Sequence, residues 1–295
     1  MLAVKRISHA TFETPDLERQ IDYHVNVLGL SLTERENGRA YLATTTGQQA
    51  VVLEKGEAAR CTRLAFQVDP AASLSDLAKA LSEQHGIRAE RRNGAVPGIG
   101  ETLSFEDPKG TTVEIFANGR MVDEDRTPKG LLPLKLGHLA FKVTDIREIV
   151  RFYGEVLGFR VSDWRQDFFV FMRCGPDHHT VNFATAEKAK MHHIAFELKD
   201  QAEMLRACDF LGKNKVKIIW GPGRHVIGDN VFTYHKDPDG HIIELYTELA
   251  RIDSEEIGHF VPRPWRDDHP YRPTVWGPET LGNLWGPPAP PGFGD

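Results

Sequence analysis

Three residues in the C-terminal half have the types and the places to hold a metal ion: His138, His193 and Glu244. Each histidine stands first in an apolar stretch that reads as an inner strand, His138-Leu-Ala-Phe and His193-Ile-Ala-Phe. The glutamate sits in the last strand of the half, Ile242-Ile-Glu-Leu-Tyr. Three strands entered at equivalent ends can aim three side chains at one point. Two imidazoles and a carboxylate on one face leave up to three positions open, the arrangement that suits Fe(II) and oxygen chemistry, with Mn(II) also accommodated. Zn(II) ordinarily takes a tetrahedral set with fewer open positions. The matched residues of the first half are His9, Arg63 and Glu114. A guanidinium has no lone pair to offer, so no metal is expected there. Glu114 is expected to pair with Arg63 instead. His192, beside His193, is expected to turn away by strand alternation and to bond to backbone.

These residues recur because the chain repeats. His9-Ala-Thr-Phe and His138-Leu-Ala-Phe open matching segments, and each reaches Leu-Gly at the same distance, at Leu28 and Leu157. Glu106 to Phe116 (EDPKGTTVEIF) resembles Lys236 to Tyr246 (KDPDGHIIELY), displaced along the chain by almost the same interval. A repeat that persists over a whole half is a duplicated domain. Each half divides again, since Arg63-Leu-Ala-Phe and His193-Ile-Ala-Phe echo the same strand. Helical runs follow. Thr14 and Pro15 read as N-cap and first helical residue of one that ends before Gly29. Others span Ser73 to His85 before Gly86, a run from Ile146 to Leu157 with amphipathic spacing, and Asp200 to Leu211 before Gly212. Asp107-Pro108 and Asp237-Pro238 mark turns before the last strands. The unit is a strand, a helix and three strands, used four times in an α+β fold, two units curling into each partly closed sheet.

The expected limits are 1–120 for the first domain, 121–132 for the linker, 133–250 for the domain with the triad and 251–295 for the tail. The tail holds nine of the 18 prolines and the tryptophans Trp265, Trp276 and Trp285. Proline density argues against regular helix or sheet there, and the tryptophans argue that it packs on the body.

The 295 residues are 40% hydrophobic and 26% charged, with a net charge of −6 and a pI near 6.1. That balance excludes a disordered or fibrous chain and gives no basic footprint for nucleic acid or membrane surfaces. No apolar run is long enough for a membrane span. The first residues lack the apolar core of a signal peptide. Cys61, Cys174 and Cys208 are too scattered for a disulfide framework or metal knuckle. A reduced, cytoplasmic protein is expected.

The segments GHLAFKVTDIREIVRFYGEVLGF, DHHTVNFAT, MHHIAFEL and GPGRHVIGDNVFTYHKDPDGHIIELYTE resemble the type I extradiol ring-cleavage dioxygenases of the vicinal oxygen chelate superfamily. The resemblance covers roughly residues 5–249 and is nearest to the branch that cleaves homoprotocatechuate. It implies tandem vicinal oxygen chelate domains of the glyoxalase/bleomycin-resistance type, each a half-open barrel of two βαβββ modules, with the Pro/Trp-rich tail as a cover. It implies a mononuclear Fe(II) centre, a catechol and O2 as partners, and a homo-oligomer. Gly-Pro-Gly-Arg followed by His225, Tyr234 and Glu244 matches the family's catalytic strand pair. Of His178-His179, the second matches the family's catalytic histidine. A spacing to His193 one residue shorter than the family's keeps His178 as the alternative. By this resemblance His225 and Tyr234 hold the diol side, and His179 stands beside the oxygen pocket to donate a hydrogen bond and shuttle protons.

The departures speak to substrate. Members that cleave homoprotocatechuate set an arginine where this chain has Trp220, others before the tail's Trp-Gly, and an asparagine where it has Ala140. Here Leu281-Gly282-Asn283-Leu284 precede Trp285-Gly286. An unpaired carboxylate is expensive to desolvate, so a catechol with a neutral or apolar substituent is expected, with Trp220 and Ala140 at its pocket and Phe168 and Phe171 as further contributors. Arg263, Arg266 and Arg272 are the arginines left to build a clamp. Competing readings are a glyoxalase-type isomerase or lyase on the same fold, and a non-catalytic binder of small molecules.

Overall fold

The computed structural model describes residues 1–123, 129–254, 256–257, 259–261 and 273–294. The four repeats appear as four modules. The first is β1 (Arg6–Thr14), α1 (Leu17–Tyr23), β2 (Ser31–Glu36), β3 (Arg39–Ala43) and β4 (Gln49–Lys55). The second is β5 (Arg60–Gln67), α2 (Leu74–His85), β6 (Glu90–Val96), β7 (Ile99–Glu106) and β8 (Thr112–Phe116). The third is β9 (Lys135–Val143), α3 (Ile146–Glu155), β10 (Arg160–Arg165), β11 (Phe169–Arg173) and β12 (Val181–Thr185). The fourth is β13 (Lys190–Glu197), α4 (Gln201–Lys213), β14 (Trp220–Arg224), β15 (Val231–Lys236) and β16 (Ile242–Thr247). The tail adds β17 (Arg251–Ser254), β18 (His259–Val261) and β19 (Thr274–Trp276).

Modules one and two make an eight-stranded sheet in the order β2-β3-β4-β1-β5-β8-β7-β6. Modules three and four make β14-β15-β16-β13-β9-β12-β11-β10, with β19 added at the edge. In every module the first strand pairs in parallel with the last, as β1 with β4 and β13 with β16. Strands β1 and β9 are buried along almost their whole length, which is why they read as near-continuous apolar runs rather than alternating ones; β5 and β13 are buried over their second halves.

Helix ends follow capping chemistry, with two shifts from the sequence reading. Ser73 caps α2 by accepting from the Asp76 amide, and Gly86 closes it in the left-handed conformation at φ 68°. Thr14 does not cap α1; Asp16 does, accepting from the Arg19 amide at 3.1 Å. Thr14 instead stays in β1 and accepts from the Asp16 amide at 3.2 Å. A π-helical turn, His24–Leu28, follows α1 and ends at Gly29. Gly29 has φ 84°, and a Cβ there would strike the Lys129 carbonyl. Only glycine answers both demands. Helix α4 runs past Gly212 to Lys213 because Met204, Ala207 and Leu211 hold it down by burial, which outweighs the roughly 1 kcal/mol that an interior glycine costs.

The chain divides into two compact units that do not follow a single cut. Unit one takes Met1–Gly137 together with Arg147–Gly158 and Asp237–His241; unit two takes His138–Ile146, Phe159–Lys236 and Ile242–Asp295. Most of α3 therefore belongs with the first sheet, where the Tyr153 hydroxyl donates to Asp107 at 3.0 Å and the Leu2 amide to the Val156 carbonyl at 2.7 Å. The tail also differs from expectation. It is not free of sheet: β19 pairs in parallel with β10, Asp163 opposite Thr274. Proline is tolerated at the ends of an edge strand, and β19 is a three-residue window between Pro273 and Pro278. Trp265 lies outside the described residues.

Candidate metal centre

His138, His193 and Glu244 stand on β9, β13 and β16, three neighbours in the second sheet. The histidines are not the first residues of their strands. Each is the fourth, as are His9 in β1 and Arg63 in β5, so all four occupy one structural position. Their reactive atoms converge. His138 Nε2 lies 3.0 Å from Glu244 Oε2, His193 Nε2 lies 3.1 Å from the same oxygen, and the two nitrogens are 3.3 Å apart. All three side chains are buried. Burial alone would raise the Glu244 carboxyl; the two imidazoles outweigh it and hold it well below the usual carboxylate range. Burial pushes His138 down, toward the neutral form that a ligand needs. A carboxylate and two imidazoles meeting on one point without an apolar spacer fit a divalent cation of the Fe(II) or Mn(II) kind.

Around this point the other expected residues fall on β9 (Ala140), β11 (Phe171), β14, β15 and the loops. Tyr234 faces Glu244 across the β15–β16 pair. Its hydroxyl is 3.0 Å from His225 Nε2, while His225 Nδ1 is 2.6 Å from the Gly282 carbonyl. A carbonyl only accepts, so His225 carries its proton on Nδ1 and Nε2 receives the Tyr234 hydroxyl. Burial lowers His225 and raises Tyr234 well above the ordinary phenol value, keeping both neutral. The Trp220 ring stacks on Tyr234, centroids 5.5 Å apart at 11°, and donates from Nε1 to the Pro287 carbonyl at 3.1 Å. His179 packs edge-on against His138 with centroids 4.3 Å apart. Its Nδ1 is 2.9 Å from Nδ1 of His178, whose Nε2 bonds Asp163 at 3.0 Å. Burial drives His179 well below the ordinary imidazole value.

A cavity of about 440 Å³ opens on the triad. Ala140, Phe168, Phe171, His179, His225, Trp220 and Tyr234 all line it; His178 does not. Lys142 and Arg165 also line it, and Arg165 donates to the Thr280 carbonyl at 3.1 Å. Arg263, Arg266 and Arg272 lie outside the described residues. Residues 135–245 match the profile of the Glyoxalase/Bleomycin resistance protein/Dioxygenase superfamily. Over nearly the whole chain, curated relatives are similar at lower identity. A manganese-dependent 2,3-dihydroxybiphenyl 1,2-dioxygenase of Geobacillus genomosp. 3 is 24% identical over 94% of this chain and 95% of its own length. An iron-dependent extradiol dioxygenase of Rhodococcus jostii (strain RHA1) is 25% identical over 86% and 92%. The substrate complex of homoprotocatechuate 2,3-dioxygenase from Brevibacterium fuscum is similar in structure. Its TM-score is 0.81 at 27% identity, over 99% of this chain and 91% of that one.

Within the matched segment and the tail, the structure adds residues that sequence reading missed. Asn230 Nδ2 donates to Glu244 Oε1 at 3.0 Å, so the carboxylate is held from the side away from the histidines. His192 does bond to backbone, the Phe293 carbonyl at 2.8 Å, but it does not turn away from His193: their Nδ1 atoms are 2.7 Å apart. Phe293 closes the cavity against Trp220 and Tyr234, with centroids 5.0 and 4.9 Å away. The tail reaches this place because Gly223 leaves room; a Cβ there would collide with the Asn283 side chain. In the first half, the expected Arg63–Glu114 pair is present at 4.0 Å, but Arg63 pairs more closely with Glu54, at 2.6 Å. His9 Nε2 stands 3.8 Å from Glu114.

Proposed function

We propose that this protein is an extradiol ring-cleaving dioxygenase that inserts both atoms of O2 into a catechol at a bond beside the diol, with Fe(II) held by His138, His193 and Glu244. Mn(II) is the alternative ion, since relatives are named for each metal. One observation carries the reading: two imidazole nitrogens and a carboxylate oxygen, mutually 3.0–3.3 Å apart, at the floor of an aromatic cavity. The division into domains 1–120 and 133–250, a 121–132 connector and a 251–295 cover belongs to the same proposal, as do a cytoplasmic location and a homo-oligomer. No helix among the described residues is long and apolar enough to cross a membrane.

The metal, when bound, supplies Lewis acidity toward the diol and a path for electrons between ring and dioxygen. The protein's own residues supply the rest. The Tyr234 hydroxyl and His225 Nε2 form a short bridge with the lone pair of a neutral imidazole at its end, able to take the proton that a catechol loses on binding. His179, neutral by burial and fixed through Nδ1, presents its other nitrogen for proton movement on the other flank. His178, tied to Asp163, is placed behind it. Phe171, Trp220 and Phe293 exclude water, which raises the worth of every remaining charge–dipole contact. Aromatic walls, Trp220 and the small Ala140 support a catechol with a neutral or apolar substituent. Lys142 and Arg165 are the lining groups that an acidic substituent would use.

The test is direct. Protein purified anaerobically and loaded with Fe(II) is expected to hold one equivalent of metal per chain and to consume one O2 per catechol, with a yellow ring-opened product. Absence of O2 uptake overturns the reading in favour of a glyoxalase-type isomerase, which the superfamily's composite description also covers. Absence of metal points to a plain binder. Comparing kcat/KM for 3- and 4-alkylcatechols with that for homoprotocatechuate tests the substituent; preference for the acid overturns it.

A further inference from the structure

The histidine pair on β13 joins the tail to the metal centre through a chain of single-valued hydrogen bonds. The Phe293 carbonyl can only accept, so the His192 nitrogen that faces it at 2.8 Å, Nε2, must carry a hydrogen. A neutral His192 then has only a lone pair at Nδ1. The atom 2.7 Å from that lone pair is His193 Nδ1, which must therefore be the N–H of its own ring. That leaves the lone pair of His193 on Nε2, the atom facing His138 and Glu244. Were the proton on Nε2, His193 would aim a donor at the ion, and the two Nδ1 lone pairs would face each other within hydrogen-bonding distance. We propose that His192 is a positioning residue for the metal centre: it carries the polarity of the Phe293 carbonyl to His193 and so selects the tautomer that can ligate, which makes the C-terminal tail a determinant of metal affinity. The inference rests on the metal-site reading above.

The feature is particular to this ligand. Among the described residues His138 Nδ1 has no hydrogen-bond partner, so none of them orders the other imidazole in this way. The tail end is also seated by more than one bond. The Phe293 ring packs on His192, Trp220 and Tyr234, with centroids 5.1, 5.0 and 4.9 Å away, so its carbonyl is fixed in direction as well as in range. Partners that orient a ligating histidine through its far nitrogen commonly change metal affinity by about 10–100-fold when removed.

The experiment measures binding, not turnover. The dissociation constant for Mn(II) is determined by equilibrium dialysis on the full chain, on His192→Phe, on His192→Gln and on a chain ended after Gly292. Phenylalanine keeps the ring and removes the polarity. Glutamine restores an acceptor toward His193 and a donor toward Phe293. The expected result is a roughly 10–100-fold weaker Kd for His192→Phe and for the shortened chain, with His192→Gln within about threefold of the parent. Long-range ¹H–¹⁵N spectra of the Zn(II)-loaded parent are expected to show His192 protonated on Nε2 and His193 on Nδ1. A His192→Phe chain that binds as tightly as the parent overturns the inference, as does a His192→Gln chain as weak as His192→Phe. Should His192→Phe not fold, the shortened chain and the spectra still decide. A parent chain that binds no metal at all overturns the metal site itself, a distinct outcome.

Discussion

The two halves hold the same residues' addresses and opposite contents. Glu114 faces Ser104 across β7–β8 and lies beside Ala65 of β5; Glu244 faces Tyr234 across β15–β16 and lies beside Ala195 of β13. The registers are identical. In the second half the position on the third inner strand is His193, the cross-strand partner is a tyrosine, and a cavity opens. In the first half the same positions hold Arg63 and Ser104, and Tyr41, Val52, Val96, Ile99 and Phe116 pack together as a core cluster. The fold thus supplies convergence, while ligand chemistry needs lone pairs and an open face in addition. Burial of the carboxylate is resolved by different partners as well: Glu114 leans on an imidazole and a guanidinium, Glu244 on two imidazoles and an amide.

Mirror substitutions break this comparison most sharply. Glu244→Gln is expected to abolish metal retention and to lower catechol-dependent O2 uptake by at least about 10³-fold, since the ion is asked for several kcal/mol of barrier reduction. Glu114→Gln should leave uptake within about twofold of the parent, because its neighbours touch no part of the cavity. Uptake rates and metal content of both variants check this; equal losses would mean that both halves act. Next in size is Tyr234→Phe. Deleting the hydroxyl that bonds His225 Nε2 is expected to cost about 10²–10³-fold in kcat with one equivalent of metal still bound, whereas Ser104→Ala at the mirror position should cost none. Steady-state kinetics alongside metal analysis separates the two effects.

Much of this was legible in the chain, for a physical reason. A position on an inner strand, the DP-x-G turn and the leucine before a glycine are all tied to local geometry, so duplication copies them at a nearly constant offset. The triad followed from that offset together with the residue types at the matched positions. What stayed hidden depends on contacts without periodicity. Asn230 reaches Glu244 only because Gly228 and Asp229 turn the backbone at positive φ, 88° and 63°. His192 meets His193 through ring nitrogens, which strand alternation does not govern. The Phe293 carbonyl, the Gly282 carbonyl and β19 come from a tail whose prolines mask three-residue pairing windows. Arg63 chose Glu54, nine residues earlier, over Glu114, and spacing could not rank those two carboxylates.

A smaller difference between the halves concerns acid stability. Burial pushes His235 down to about 3 and His24 down to about 4. Both fold as neutral rings, while the unfolded chain takes up protons near pH 6.5. Between pH 6.5 and the folded value the unfolded state binds the extra proton, so stability falls as pH falls, by about 1 kcal/mol per pH unit for each group. The mirror of His235 in β7 is Phe105. His235→Phe is therefore expected to reduce the loss of stability between pH 6.5 and 4 by its own share, leaving the part due to His24, His192 and the other histidines that burial lowers. Chemical denaturation across that range reads the slope; an unchanged slope would show that His235 keeps its proton in the fold.

The smallest effect compares the helices that cap themselves by the same device. Ser73 accepts from the Asp76 amide at the start of α2, at 3.3 Å, and Asp200 from the Glu203 amide at the start of α4, at 2.9 Å. Each satisfies one of the amides that a helix start leaves without an intrahelical partner, and replacing such a cap with alanine costs about 1 kcal/mol. Asp200 adds a negative charge against the positive end of the helix dipole, a further few tenths of a kcal/mol at low salt. Ser73→Ala and Asp200→Ala are thus expected to lower stability by similar amounts in 0.5 M salt. In dilute buffer Asp200→Ala should be the costlier of the two, because the charge term is screened and the hydrogen-bond term is not. Denaturant midpoints at both salt levels measure it. A gap that persists at high salt would mean that the shorter hydrogen bond, rather than the charge, distinguishes the two starts.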